Sequence, residues 1–376
     1  MERANKNQED AARHENRESA WQCIDDGNVK EYSPLITPEE LRCELPLSER
    51  QRDAVTRSRK DIAAALAGRD KRIVLICGPC SIHDKEAAME YADRLKGLSG
   101  EVDDSFILVM RSYFEKPRTG MAWRGYINQP DLDGNWQRSK GLRLARNLLL
   151  YNAEIGLPSA TEFLDPLIPQ YISDLVSWGC IGARTSESQT HRAMVSALPM
   201  PVGFKNNMAG SVQAAIEGIR VAGHEQVLTG IQPNGSIADV TGKGNKDTHV
   251  VLRGGVGLDG TQNPNYDSRH VAEALAMLKA SGLRERLMVD ASHANSMKDH
   301  TRQPAVFTNV VQQIADGNAG IFGIMLESNI GEGRQDLKGG RGGLEYGVSI
   351  TDACIGWRTT RELVLKARET LQAKKR

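Results

Sequence analysis

The run Phe106-Ile107-Leu108-Val109-Met110-Arg111, continuing through Ser112-Tyr113-Phe114-Glu115 to Lys116-Pro117-Arg118-Thr119, passes from five apolar residues straight into a cationic loop. An apolar run without polar alternation reads as a strand buried on both faces, as in a parallel sheet. Arg111, Lys116 and Arg118 just beyond it repel one another unless an anion sits between them. The stretch therefore predicts a buried strand that opens on a phosphate or carboxylate site. A solvated basic loop is the plainer alternative, and the choice turns on whether the pattern repeats.

It repeats. From Arg72 onward, short apolar runs alternate with helical segments, as expected of a parallel sheet wound with helices. Strands are expected over 73–77, 106–110, 158–161, 180–183, 202–204, 248–252, 287–289 and 321–326. Helices are expected over 84–98, 138–156, 166–178, 186–198, 211–221, 268–281 and 303–315. A segment at about 225–240 falls out of phase and reads as an inserted β-hairpin. Eight strands in this alternation predict an α/β fold, a (β/α)8 TIM barrel, with its active site at the C-terminal strand ends. The residues following the runs are, in order, Cys80, Arg111 with Lys116, Glu162, Arg184, Lys205, Arg253, Asp290 with His293, and Glu327. A single charge past a strand is commonplace. Eight chemically capable positions that barrel closure brings to one mouth form a joint signal.

The rest of the chain narrows the class. Its 376 residues carry 48 Lys plus Arg against 48 Asp plus Glu, so no global charge recruits nucleic acid or an acidic membrane surface. No apolar run of about 18 residues occurs, so no membrane span is expected. Residues 1–22 are polar and aperiodic, without the apolar core of a signal peptide, and are expected to be disordered or weakly helical in a cytoplasmic protein. Thr37-Pro38-Glu39-Glu40 and Ser48 are helix starts, which makes 23–70 a helical arm ahead of a catalytic barrel over 71–376. The six cysteines, Cys23, Cys43, Cys77, Cys80, Cys180 and Cys354, are expected to be reduced thiols in a chain too large to need staples.

Two subsets of the strand-end residues separate by chemistry. Arg111, Lys116, Arg184, Lys205 and Arg253 form a cationic set suited to a ligand with phosphate and carboxylate groups. Cys80, His293 and Glu327, with Asp352 from the later Ser349-Ile350-Thr351-Asp352-Ala353, supply one sulfur, one nitrogen and two carboxylates. Such a set suits a divalent transition ion, Mn, Fe, Co or Zn, rather than a structural zinc cage. Taken singly, Cys80 would be a small core residue and His293 a hydrogen-bonded loop histidine. Residue chemistry alone reaches a metal-dependent barrel enzyme acting on phosphorylated anions, and a metal-dependent aldolase of another kind fits it equally.

Seven signatures go further: Gly78-Pro79-Cys80-Ser81-Ile82-His83-Asp84, Lys116-Pro117-Arg118-Thr119, Ile181-Gly182-Ala183-Arg184-Thr185, Pro201-Val202-Gly203-Phe204-Lys205-Asn206, Leu252-Arg253-Gly254-Gly255, Ser292-His293-Ala294-Asn295-Ser296 and Ser349–Ala353. In this order, across roughly 30–360, the chain resembles the type I 3-deoxy-D-arabino-heptulosonate 7-phosphate (DAHP) synthases. The resemblance implies condensation of phosphoenolpyruvate with erythrose 4-phosphate at the entry to the shikimate pathway. It implies Cys80, His293, Glu327 and Asp352 as metal ligands. Arg111, Lys116, Arg184, Lys205 and Arg253, with amides near Ala183, would hold phosphoenolpyruvate, and Arg118 and Thr119 the aldose phosphate. Glu162 would orient a water, and Lys116 would act as proton donor or charge stabiliser. By the same resemblance the protein is a homodimer or homotetramer, and the arm and hairpin serve subunit contacts and feedback inhibition by an aromatic amino acid.

Departures from the family pattern gather at the mouth: Gly120-Met121-Ala122-Trp123-Arg124-Gly125 after Thr119, then Gln129, Ala209, Ala291 and an extra segment over 256–262. Drift in exposed loops accounts for such changes. Two alternatives follow, a paralogue that uses another aldose phosphate and a catalytically silent sugar-phosphate-binding regulator. Four retained metal-ligand types argue against the second.

Overall fold

The computed structural model describes residues 27–337 and 340–373, so the expectations for 1–22 and Cys23 lie outside the described residues. The chain divides between Ile36 and Thr37, and the larger unit, Thr37–Arg376, holds the described helices and strands. Its first helices are started by reciprocal caps. Thr37 Oγ1 accepts from Glu40 N at 3.2 Å while the Glu40 carboxylate accepts from Thr37 N at 2.8 Å, opening α1 (Pro38–Glu44). Ser48 and Gln51 repeat the exchange at α2 (Glu49–Leu66). One face of α2 then buries Ile62, Ala65 and Leu66 against Val74, Ile76, Trp178 and Phe322 of the barrel interior. The helix thereby plugs the end of the barrel opposite the mouth.

The remaining elements follow in order: β1 (Ile73–Gly78), α3 (Lys85–Glu101), β2 (Phe106–Arg111), α4 (Arg138–Glu154), β3 (Ser159–Glu162), α5 (Pro169–Ile172), β4 (Trp178–Ile181), α6 (Gln189–Ser196), β5 (Val202–Lys205), α7 (Val212–Ala222), β6 (Gln226–Ile231), β7 (Ile237–Gly242), β8 (Thr248–Leu252), β9 (Gly255–Val256), β10 (Gln262–Asn263), α8 (Ser268–Ala280), β11 (Leu287–Asp290), α9 (Gln303–Ala315), β12 (Ile321–Glu327) and α10 (Trp357–Ala373). Eight of the strands close a barrel in the order β1-β12-β11-β8-β5-β4-β3-β2. Every neighbouring pair is parallel, including β1 with β12, which sets Gly78 beside Glu327. All eight strands are buried along their length, and β1, β2 and β12 in particular read as apolar runs. The expected (β/α)8 barrel is the fold found, and the expected hairpin is the antiparallel β6–β7 pair.

Two element expectations need correction. The helix expected over 166–178 is only α5 and a 3-10 turn at Ser173–Leu175, and Trp178 already belongs to β4. Arg146 takes the carbonyl of Tyr171, and Arg59 takes those of Ser173 and Val176, so side chains hold groups that a continuing helix would have used. The second correction is α10, for which no helix was expected. Only Thr360, Val364 and Ala367 on it are buried, too sparse a stripe to read as periodicity. The extra segment over 256–262 lies in the small β9–β10 hairpin.

Candidate active site

The functional side chains leave the barrel at or just past the ends of its strands, except Asp352, which comes from the segment between β12 and α10. A cavity of about 280 Å³ at that mouth is lined by Arg111, Lys116, Arg118, Thr119, Glu162, Ala183, Arg184, Lys205, Arg253, His293 and Asp352, among others. Every anion-binding residue expected from the sequence thus reaches one cavity. Cys80 and Glu327 stand behind it, fully and almost fully buried.

The cations differ in how they are held. Arg111, 1 % exposed, donates to Glu327 Oε1 at 2.8 Å and to the Pro79 carbonyl at 3.1 Å, and stacks over Tyr113 at 3.7 Å. Lys205 donates to Asp290 at 2.9 Å. Lys116 reaches Cys80 Sγ at 2.7 Å and Asp352 at 3.7 Å. Burial opposes the Lys116 charge, but Cys80, Asp352 and Glu327 together hold the ammonium above its usual range. Arg184 and Arg253 make no ion pair among the described residues. Burial pulls the Arg253 guanidinium below its usual range and the neighbouring Arg184 adds to the pull, although Asp290 opposes it. Neighbouring cations without carboxylates of their own mark where an anion is wanted.

The loop after β8 is fixed by amides. Asn206 accepts from Arg253 N at 2.9 Å and donates to the Gly254 carbonyl at 2.8 Å. Gly254 has φ +72°, and a Cβ there would fall 2.7 Å from that of Ala294, so glycine alone fits the turn that presents Arg253. On the facing side, a Cβ at Gly182 would stand 2.2 Å from Glu162 Oε1. The missing side chain leaves room for the Glu162 carboxylate.

The second cluster joins chain positions that lie far apart. Ligand atoms of Cys80, Glu327 and Asp352 all fall within 4.8 Å of one another. Cys80 Sγ lies 3.6 Å from Asp352 Oδ2, and His293 Nε2 lies 3.8 Å from Glu327 Oε1. His293 Nδ1 is 2.8 Å from Asp290, itself fully buried and bonded to Ser292 and Lys205. One ring nitrogen engaged by a carboxylate while the other faces the cluster is the usual setting of a metal-ligating histidine. His293 also has φ +57°, a left-handed conformation that costs a non-glycine residue about 1–3 kcal/mol and gathers at functional sites. Burial and then Glu327 push the Cys80 thiol up to about 12 against the attraction of Lys116. A cation among these donors reverses that balance and favours the thiolate. The donor set of sulfur, imidazole and two carboxylates therefore fits a divalent transition ion.

Sequence reasoning missed Lys298 and Met208, which also line the cavity. Lys298 comes to it through a left-handed turn, with Met297 and Lys298 at φ +57° and +58°. No local signal distinguishes it from a solvated lysine. Asp290 was visible as a strand-end residue, but its hold on both Lys205 and His293 was not.

Fold and site together define a class: a barrel enzyme with a candidate metal centre set against a polycationic cavity for small anions. The DAHP synthetase I family model matches residues 45–365. The Tyr-sensitive phospho-2-dehydro-3-deoxyheptonate aldolase of Escherichia coli K12 is 50% identical over 344 residues, 92% of this chain and 95% of that one. The Phe-sensitive E. coli K12 protein is 46% identical over 93% of this chain and 98% of its own, and the tyrosine-inhibited Schizosaccharomyces pombe protein 44% over 94% of each. The solved phospho-2-dehydro-3-deoxyheptonate aldolase of Francisella tularensis SCHU S4 superposes with a TM-score of 0.88 at 42% identity, covering 92% of this chain and 99% of that one. The chain belongs to the DAHP synthetase I family.

Proposed function

We infer that the protein condenses phosphoenolpyruvate with erythrose 4-phosphate and water to give DAHP and phosphate in aromatic amino acid biosynthesis. The observation that carries this is that five cations line one 280 Å³ cavity together with His293 and Asp352, while Cys80 and Glu327 stand buried behind it within reach of Asp352, on the barrel of that family. Arg184 and Arg253, free of carboxylate partners, take the phosphate of phosphoenolpyruvate. Lys116, Lys205 and Arg111 complement its carboxylate and the charge of the departing phosphate, already oriented by their hydrogen bonds. Arg118 and Thr119, at the outer edge, receive the phosphate of the aldose.

Cys80, His293, Glu327 and Asp352 would hold a divalent metal, which supplies Lewis-acid polarisation of an aldehyde oxygen when bound. The enol carbon bonds to the aldehyde carbon, and Lys116, held as an ammonium, supplies the proton for the new hydroxyl. Glu162 orients a water whose oxygen adds at C2, and phosphate leaves. An aromatic amino acid effector is inferred from relatives named Tyr-sensitive, tyrosine-inhibited and Phe-sensitive. Among the described residues no helix is long and apolar enough to cross a membrane.

The test is loss of phosphoenolpyruvate absorbance together with phosphate release, with erythrose 4-phosphate and other aldose phosphates as acceptors, with and without chelator. Metal-dependent turnover on the order of 1–100 per second with erythrose 4-phosphate is expected. Preference by orders of magnitude for another aldose phosphate would overturn the acceptor, and undiminished turnover in chelator would overturn the metal. Repeating the assay with tyrosine or phenylalanine reads the effector, and light scattering reads the dimer or tetramer.

A further inference from the structure

Far from the mouth, a cavity of about 450 Å³ opens at the other end of the barrel, bounded by α7, α8 and the start of β8. Its walls carry Arg220, Lys246 and Arg284 beside the apolar Ile219, Leu278 and Leu283, and no acidic side chain lines it. The carboxylates nearest these cations are outside the lining: Glu217 lies 3.4 Å from Arg220 and Asp247 3.6 Å from Arg284.

His249, 2 % exposed, also lines this cavity. Trp178 Nε1 donates to His249 Nε2 at 3.3 Å, and because an indole N–H can only donate, Nε2 must accept. Burial, and then the Arg284 charge, hold the imidazole down to about 3, although hydrogen bonding to the Asp247 backbone opposes the shift, so the ring is neutral. Its proton therefore sits on Nδ1, which is buried and has only the Asp247 backbone near it, without a well-formed hydrogen bond. Phe322 packs edge-on to the ring at 4.7 Å and Gly203 lies against Nε2, so the ring has little freedom to turn that proton elsewhere. A buried donor short of a good acceptor carries part of a desolvation cost that reaches about 1–3 kcal/mol when no partner is present, and a ligand oxygen would relieve it.

From this geometry we propose that the cavity is a second binding site, for a small carboxylate or phosphate ester with an apolar body, whose oxyanion meets Arg284, Lys246 and the Nδ1–H of His249. The apolar body lies on Ile219, Leu278 and Leu283. Because Nδ1 is sealed from solvent, the oxygen reaches it only as the cavity wall relaxes around the ligand. The site is separate from the catalytic mouth, since β8 carries His249 near its first residue and delivers Arg253 just past its last.

Melting temperature of the full chain, titrated with inorganic phosphate and with phenylacetate, tests this in the wild type, Arg284→Gln, Lys246→Gln and Arg184→Gln. A saturable rise is expected in the wild type and in Arg184→Gln, with apparent affinity about tenfold weaker in Arg284→Gln, the loss of one charge-assisted hydrogen bond. A response to inorganic phosphate means that the oxyanion alone suffices, and a response to phenylacetate only means that the apolar body is needed. In the same titrations the ring N–H resonance of His249, assigned by its absence in His249→Gln, moves downfield. The proposal is overturned if neither probe gives a saturable rise, if that resonance stays still, or if the rise disappears in Arg184→Gln and persists in both Arg284→Gln and Lys246→Gln.

Discussion

Arg184 and Arg253 differ from Arg111, Lys116 and Lys205 in making no ion pair among the described residues, so their charge is available to substrate. Replacing Arg184 with Gln is expected to raise KM for phosphoenolpyruvate about tenfold to a hundredfold, the range of a lost charge-assisted contact, while metal content stays constant. Steady-state kinetics with metal analysis checks it. Glu115, 3 % exposed and one residue before Lys116, bears on stability instead. Burial and then Asp165 push its carboxyl up to about 8, although the amides of Asp165 and Leu164 oppose the shift. Between the ordinary value of 4.5 and about 8 the folded protein holds a proton that the unfolded chain has released, so this group's contribution falls as pH rises through that window. Glu115→Gln should remove that loss, leaving the variant more thermostable than wild type at pH 8, by on the order of 2–4 °C per kcal/mol relieved, and much closer to it at pH 5. Melting curves at the two pH values decide, and an unchanged difference between them would refute the assignment. At this scale the sequence disclosed which residues carry chemistry, because Cys80, Arg184 and His293 all stand just past apolar runs. It hid their pairings: Arg111 meets Glu327 across 216 positions, and nothing local to either residue signals that.

Among the elements, β3 and β4 set the width of the mouth. Gly182→Ala would drive Glu162 out of its place, and a misplacement of about 1 Å is expected to lower kcat up to a hundredfold with metal content and folding retained. Equal kcat in the variant would mean that Glu162 has no role in the reaction. The β6–β7 hairpin stands outside the closed barrel, paired only with itself as a sheet. Replacing it with a short turn is expected to leave turnover intact and abolish the response to tyrosine or phenylalanine, read by assay with and without each amino acid. Most barrel strands were legible because burial on both faces leaves them apolar up to their last residue, as in β1, β2 and β12, whereas β3 (Ser159–Glu162) is mostly polar. The segment before β4 was not, since Pro166, Pro169 and side-chain donors from α2 and α4 decide its shape. Helix α10 escaped because three buried positions in seventeen leave almost no stripe.

For the molecule as a whole, the ligands of the candidate metal centre come from the loop after β1, the loop after β11, the end of β12 and the segment before α10. A metal held there ties the first barrel strand to the last. Chelation should therefore lower the melting temperature of the entire barrel, by an amount that grows with the free metal concentration of the reference sample. Cys80→Ala should shrink that difference, and calorimetry with and without chelator measures both. A melting temperature indifferent to chelation would argue against a bound metal.

The pairing of β1 with β12 also has a temporal consequence. Cys80 leaves the ribosome hundreds of residues before Asp352, and β1 waits unpaired on one edge until β12 emerges. Synthesis proceeds at about 5–20 residues per second. For tens of seconds, then, a nascent chain can present the thiol of Cys80 without its three companions, and tight metal capture becomes a property of finished chains only.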